Sequence, residues 1–260
     1  MRKLMYLLPF IVLSIISCSK QDISKPASSG QLKETRTYYG DSIYYRYFYY
    51  NIQGNLTLIK DSINFPNWKP ILRFLNYDLN GRLEKITTID YFTTSDRIFY
   101  YNNTGQIVRA KDSMTSQPNT WTGYSKFVYD SKGRIIADSS IDGLIIRNVY
   151  NYVYDQNDNI VTVNIAGWNY ASNMLQAYPG TTNITYGAKA NPYDSVGTLL
   201  YILLKDWRYL NKNNILADNT AQSFNTYSYL FSTSGQALEM TQTFPGFTSP
   251  YNQLITRFFY

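Results

Sequence analysis

The chain has 260 residues, with 24 Lys and Arg against 18 Asp and Glu, 27 tyrosines, one cysteine and no histidine. Without histidine there is no usual general base, no Ser-His-Asp relay and no imidazole metal ligand, and a single cysteine excludes disulfides within the chain and thiolate metal clusters. The formal charge of +6 is modest and its cations are scattered, which points away from nucleic acid as a partner. In chain order the first element is "MRKLMYLLPFIVLSIISCSK", with two early cations, an apolar run from Leu4 to Ile16 and small residues ahead of Cys18. That order predicts an export signal over residues 1–17. The run contains a proline and falls short of the ~20 apolar residues that a bilayer span needs.

Ile15, Ile16, Ser17 and Cys18 resemble the lipobox of bacterial lipoproteins. The resemblance implies cleavage before Cys18, acylation of that residue and no cofactor-bearing thiol in the mature chain. Residues 18–34, polar and rich in Ser, Gly and Pro, read as a flexible tether. Ser19 resembles a position that permits sorting to the outer membrane, with either the periplasmic or the cell-surface side as the destination.

From residue 35 to 260 a single β domain is expected. Tyr, then Asp or Asn, two free positions, Gly, a polar residue and Leu or Ile recur as "YNIQGNL" from Tyr50, "YDLNGRL" from Tyr77, "YNNTGQI" from Tyr101 and "YDSKGRI" from Tyr129. A fifth copy from Tyr154 has Asp158 in place of Gly, and a weaker one, "FSTSGQA", starts at Phe231. Intervals of 27, 24, 28 and 25 residues between the first five tyrosines mark a repeat architecture. Asp or Asn opening the turn and Gly at its fourth place suit a type I turn followed by a positive-φ residue, the hairpin with a G1 bulge. Asp is among the few residues that tolerate that conformation, so Asp158 keeps the pattern. Aromatic or apolar residues stand at every second place before each turn, as in Phe48/Tyr50 and Phe99/Tyr101, which is the period of a half-buried strand.

These motifs resemble the YD repeat of the Rhs family, whose large members wind β-hairpins into shells around toxic cargo. More closely, the lipobox, the YD units and "ITYGAKANPYDSVGTLLYILL" resemble the YD-repeat lipoproteins of Bacteroidetes, families of unknown function. The resemblance implies an all-β fold of stacked antiparallel β-hairpins forming a long, twisted, curled sheet. The copies are too few for a closed shell of the Rhs kind, which leaves the array with free edges. Apolar residues packed densely in "SVGTLLYILLKDWRYL" predict at most one short helix near 196–208, packed over the sheet.

Only carboxylates remain for acid-base chemistry, and no spacing singles out the closely placed pair that a glycosidase needs. "DQNDN", 155–159, has the look of a calcium loop but lacks its Gly and its bidentate acid, so no metal site is expected and the segment reads as the fifth turn. Binding is the better expectation. Trp68 and Trp121 fall in the variable links between hairpins, which emerge at one end of a stacked array, and Trp168 is a third candidate for an aromatic platform. The alternative is that each Trp caps the apolar edge of its own hairpin. "Asp-Ser" followed by an apolar residue resembles the O-glycosylation motif of exported Bacteroidetes proteins and offers Ser42, Ser62, Ser113 and Ser195 as acceptors; equally, the pair ends one strand and opens the next link. The sequence thus predicts a non-catalytic binding or scaffold module for a glycan, a peptide or an envelope protein. A passive spacer and a carboxylate-only glycan hydrolase are the alternatives.

Overall fold

The computed structural model describes residues 31–116, 119–220, 224–245 and 252–260. The expected signal peptide, Cys18 and most of the tether lie outside the described residues. Each repeat copy builds one hairpin. The six turns place Gly54, Gly81, Gly105, Gly133, Asp158 and Gly235 at positive φ, between 65° and 85°. In the first five, the side chain of the opening Asn or Asp accepts from two backbone N–H groups, two and four residues on, as Asp130 does from Lys132 and Arg134 at 2.9 Å each. Asn51, Asp78, Asn102 and Asp155 do the same. An acceptor is needed there because these N–H groups point into the turn, where strand pairing cannot reach them. The extra residue of the G1 bulge is visible as a register shift just before each turn.

Sixteen strands result among the described residues: β1 Glu34–Tyr39, β2 Ser42–Tyr50, β3 Leu56–Ile63, β4 Ile71–Tyr77, β5 Leu83–Ile89, β6 Thr94–Tyr101, β7 Ile107–Ser116 and β8 Asn119–Tyr129 form the first half. β9 Ile135–Asp142, β10 Ile145–Tyr154, β11 Ile160–Asn169, β12 Met174–Ala190, β13 Asn213–Thr220, β14 Phe224–Phe231, β15 Ala237–Thr243 and β16 Gln253–Phe259 complete it. All neighbours are antiparallel, as the hairpin array predicts. The expected free edges are absent, because β1 pairs with both β2 and β16, from Glu34 opposite Phe259 to Tyr38 opposite Ile255. The curl runs to completion and the sheet is a closed barrel, which leaves no backbone edge open to another chain. All repeat turns lie at one end, here called the turn end; the links between hairpins lie at the other.

The motif tyrosines tie each hairpin to the one before. Tyr50, Tyr77, Tyr101, Tyr129 and Tyr154 donate their hydroxyls, at 2.7 to 2.9 Å, to the backbone carbonyls of Leu32, Leu56, Leu83, Ile107 and Ile135. Tyr186, outside any recognised copy, continues the ladder to the carbonyl of Ile160. Four of the first five acceptors are the Leu or Ile that ends the preceding motif. Leu32, fully buried, plays that part for the first copy, so the folded region begins a few residues ahead of 35.

A barrel of about eight strands can be filled by its own side chains, whereas about sixteen leave a channel. Here the inner face is apolar, with Ile59, Leu75, Ile86 and Val163 fully or almost fully buried, and chain segment 191–212 fills the turn-end half of the lumen. It contains helix α1, Gly197–Leu204, and a 3₁₀ turn, Trp207–Leu210. The predicted helix therefore exists, but it is wrapped by the sheet rather than laid over it. An apolar helix of this kind is stable only when surrounded, and Leu200, Tyr201 and Ile202 are buried. Polar anchors fix the plug. Arg97 on β6 donates to the carbonyl of Ile202, Asn211 accepts from the backbone N–H of Ile160 at 2.8 Å, and Asp138 on β9 accepts from Tyr201 and, at 3.2 Å, from Lys205.

Candidate functional site

Between the plug and the link end the lumen keeps a cavity of about 540 Å³, within the range of small-molecule sites. Its wall comes from the strands on either side of the β1–β16 seam and from β13–β15, and its floor from Asn191, Tyr193, Arg208 and Tyr209 of the plug. Tyr193 meets Tyr209 edge-on at 4.9 Å and Phe258 at 5.4 Å, which closes the cavity toward the turn end. Tyr44 and Trp68, 47 % and 52 % exposed, stand at the rim.

Two ion pairs face this space. Arg46 donates to Asp61 through Nε at 2.6 Å and Nη2 at 3.1 Å, and Arg73 joins the same carboxylate. Arg46 and Asp61 sit directly opposite each other in the β2–β3 register, as Arg97 and Asp112 do between β6 and β7. Burial works against charge on Asp61, yet Arg46 and Arg73 hold its carboxyl below the ordinary range. The second pair is Arg208, with Nη2 2.7 Å from Asp206, and its Nη1 approaches the Tyr227 hydroxyl at 3.4 Å. Burial holds the hydroxyls of Tyr193, Tyr209, Tyr227 and Tyr229 above their ordinary values, and that of Tyr227 already donates to Asp218 at 2.6 Å. Thr37, Thr256 and Gln242 add uncharged polar groups to the wall. The arrangement can bind a ligand that both stacks and hydrogen-bonds.

Of the three predicted tryptophans, Trp68 lies in a link, residues 64–70, and lines the cavity. Trp121 stands within β8, not in a link. The alternation of buried Gly123, Ser125 and Phe127 turns it inward, where it packs over Gly123 so closely that a Cβ there would lie 2.3 Å from the ring. The Arg147 guanidinium and then the Trp121 indole hold the Asp142 carboxyl below its usual range. Trp168 lies in β11 on the outer face, opposite Leu175. The three therefore do not form one platform, and Trp68 alone of them belongs to the cavity. Ser62 and Ser113 alternate with Asp61 and Asp112, which pair with arginines across the strands, and Ser62 also borders the cavity; the recurrence of Asp at these two places follows from that pairing. Ser42 opens β2 and Ser195 is an exposed residue of the plug segment. Segment 155–159 is the fifth turn, as expected.

The sequence reading missed the arginines four places ahead of the motif tyrosine, Arg46, Arg73 and Arg97. Their spacing from Tyr50, Tyr77 and Tyr101 was the available signal.

No protein-family model matches the chain, and no curated protein sequence does. Among solved structures, a porin-like protein from Bacteroides uniformis ATCC 8492 superimposes with a TM-score of 0.56 at 11% identity, over 87% of this chain and 95% of its own. A porin-like protein from Bacteroides vulgatus ATCC 8482 covers 88% of this chain and 98% of its own at 11% identity, with a TM-score of 0.41. TcdB2-TccC3 aligns at 14% identity and a TM-score of 0.33 over 84% of this chain, which spans 10% of its length. The likeness to the Bacteroides uniformis protein shows the fold: a β-rich array of antiparallel hairpins.

Proposed function

We propose that the protein is a non-catalytic binding module of the bacterial cell envelope, a YD-repeat lipoprotein held at the outer membrane by a lipid on Cys18, whose ligand enters the lumen from the link end. The observation that carries the binding role is the 540 Å³ cavity rimmed by exposed Trp68 and Tyr44 and walled by neutral tyrosines and two arginine–aspartate pairs.

The outer face supports a tethered rather than a spanning barrel. Membrane barrels present an apolar band to lipid and a polar interior. Here the outer face carries cations in mid-strand among exposed apolar side chains such as Val128 and Val153, and the inner face is largely apolar with a few arginine–aspartate pairs. Alternation with buried Ile59, Ile86, Ala110 and Phe127 turns Lys60, Lys85, Arg109, Lys111 and Lys126 outward in mid-strand. Among the described residues no helix is long and apolar enough to cross a membrane. The two porin-like neighbours, both from Bacteroides, agree with an envelope address.

Two measurements test the reading. Cells expressing the chain should incorporate labelled palmitate into it, and Cys18→Ser should abolish the label; labelling that survives the change rules out Cys18 as the anchor. Thermal-shift screening of the full chain against envelope glycans and peptides should find a ligand whose affinity falls about tenfold or more in Trp68→Ala, the loss of one stacked ring plus its buried area. A ligand that binds equally well to Trp68→Ala places recognition elsewhere than in the lumen.

A further inference from the structure

Resting on the binding-module reading, we infer that the lumen site takes the end of a saccharide chain rather than a peptide or the middle of a polymer. The closed barrel first removes the commonest way of holding an extended peptide. Such a peptide adds a strand to an open sheet edge and gains affinity from main-chain hydrogen bonds, and every strand here already has two partners.

The shape then sets the mode of entry. Tyr193, Tyr209 and Phe258 close the cavity on the plug side, and the rim residues Tyr44 and Trp68 open it at the link end. A blind cavity of about 540 Å³ has room for the terminal residues of a chain but gives no passage through.

The chemistry of the wall selects the class. A sugar ring has an apolar face that stacks on indole and phenol rings and an edge of adjacent hydroxyls, each both donor and acceptor. Trp68 and Tyr44 offer the rings. The Arg46–Asp61 and Arg208–Asp206 pairs place donors and acceptors side by side, so neighbouring hydroxyls can bond to both members at once, and Gln242 adds an uncharged group able to give and accept. Asp61 takes two guanidiniums, Arg46 and Arg73, and Asp206 takes one, so the wall carries one positive charge in excess and offers the ligand hydroxyls charge-assisted donors.

The experiment is a calorimetric titration of the full chain with disaccharides and tetrasaccharides of glucose, galactose, N-acetylglucosamine and galacturonic acid, with cyclic glucose oligomers as an endless control. At least one linear series should bind, with the tetrasaccharide no more than about threefold tighter than the disaccharide. Trp68→Ala and Gln242→Leu, each first shown to melt like the parent, should weaken it about tenfold. Binding that keeps strengthening with chain length, or equal binding of the cyclic control, would overturn the inference. Binding of peptides alone, lost in Trp68→Ala, would also overturn it while leaving the binding-module reading in place. If neither saccharide nor peptide binds, both readings fall.

Discussion

Replacing Asp138 by Ala should cost about 3–5 kcal/mol of folding stability, the toll of breaking a buried charge pair from one side. Asp138 is 2 % exposed on the inner face of β9. One carboxylate oxygen accepts from the hydroxyls of Tyr152, at 2.7 Å, and Tyr201; the other takes Lys205 Nζ at 3.2 Å. Lys205 sits in the left-handed conformation at the end of α1, with its ammonium 4.2 Å over the Phe127 ring. Burial pulls its pKa below the lysine value in spite of Asp138, and without the carboxylate this partly buried cation, its side chain 25 % exposed, loses its ion-pair partner. In a domain of this size the loss corresponds to roughly 6–20 °C in melting temperature. Lys205→Met added to Asp138→Ala should recover most of it, because removing both partners of a buried pair costs far less than removing one. Urea denaturation of the two single variants and the double variant gives the coupling directly. A cost under about 1 kcal/mol for Asp138→Ala would mean that the plug is held by its apolar contacts alone.

What the chain discloses in one dimension divides by distance. Turn chemistry is local: Asp130 and Gly133, three places apart, suffice with their neighbours to define a hairpin, and so every repeat turn is legible. Alternation ahead of the turn is equally local and gave the strands. The tyrosine ladder was only half legible. Tyr101 announces itself by recurrence, but its acceptor, the carbonyl of Leu83, is defined by the way one hairpin stacks on the last. Leu32 shows the cost of relying on composition. "GQL" repeats the close of "TGQI", yet the Ser- and Gly-rich residues before it gave it the look of tether. Closure was out of reach, since β1 meets β16 across the length of the chain and no residue pattern on Thr37 names Thr256 as its partner, 2.9 Å away through their hydroxyls.

The site was less legible than the fold for the same reason. Trp68 was found because a large aromatic in a polar link stands out. The plug's Tyr193, Arg208 and Tyr209 become part of the cavity only because segment 191–212 turns into the lumen, and the need for that segment follows from strand number, known only after closure. Trp121 reads from the sequence as a link residue like Trp68, with Trp168 as a third candidate, but both lie within strands. One belongs to the inner face and the other to the outer, a distinction that a shift of one residue in strand register reverses.

The ladder carries the second large effect: the barrel should unfold cooperatively between about pH 10 and 12. Burial pushes the hydroxyls of Tyr50, Tyr77 and Tyr129 up to about 12, and those of Tyr154 and Tyr186 further. An unfolded tyrosine loses its proton near 10. Below that pH both states are protonated and the ladder's contribution is complete. Above it the unfolded chain sheds protons that the folded chain retains, so stability falls with rising pH until the folded hydroxyls titrate as well. Each such tyrosine contributes a slope of up to ~1.4 kcal/mol per pH unit, and with several titrating together, about one pH unit spans the whole stability of an ordinary domain. Lys205 acts in the opposite sense, because its lowered folded pKa makes stability rise as pH approaches the unfolded lysine value, but it is one group against many. Tyrosinate absorbance and far-ultraviolet circular dichroism followed in one titration should show exposed tyrosines ionising gradually near 10, then a steep rise coincident with loss of β signal. A single broad ionisation centred near 10, with the β signal intact, would mean that the ladder hydroxyls are open to water.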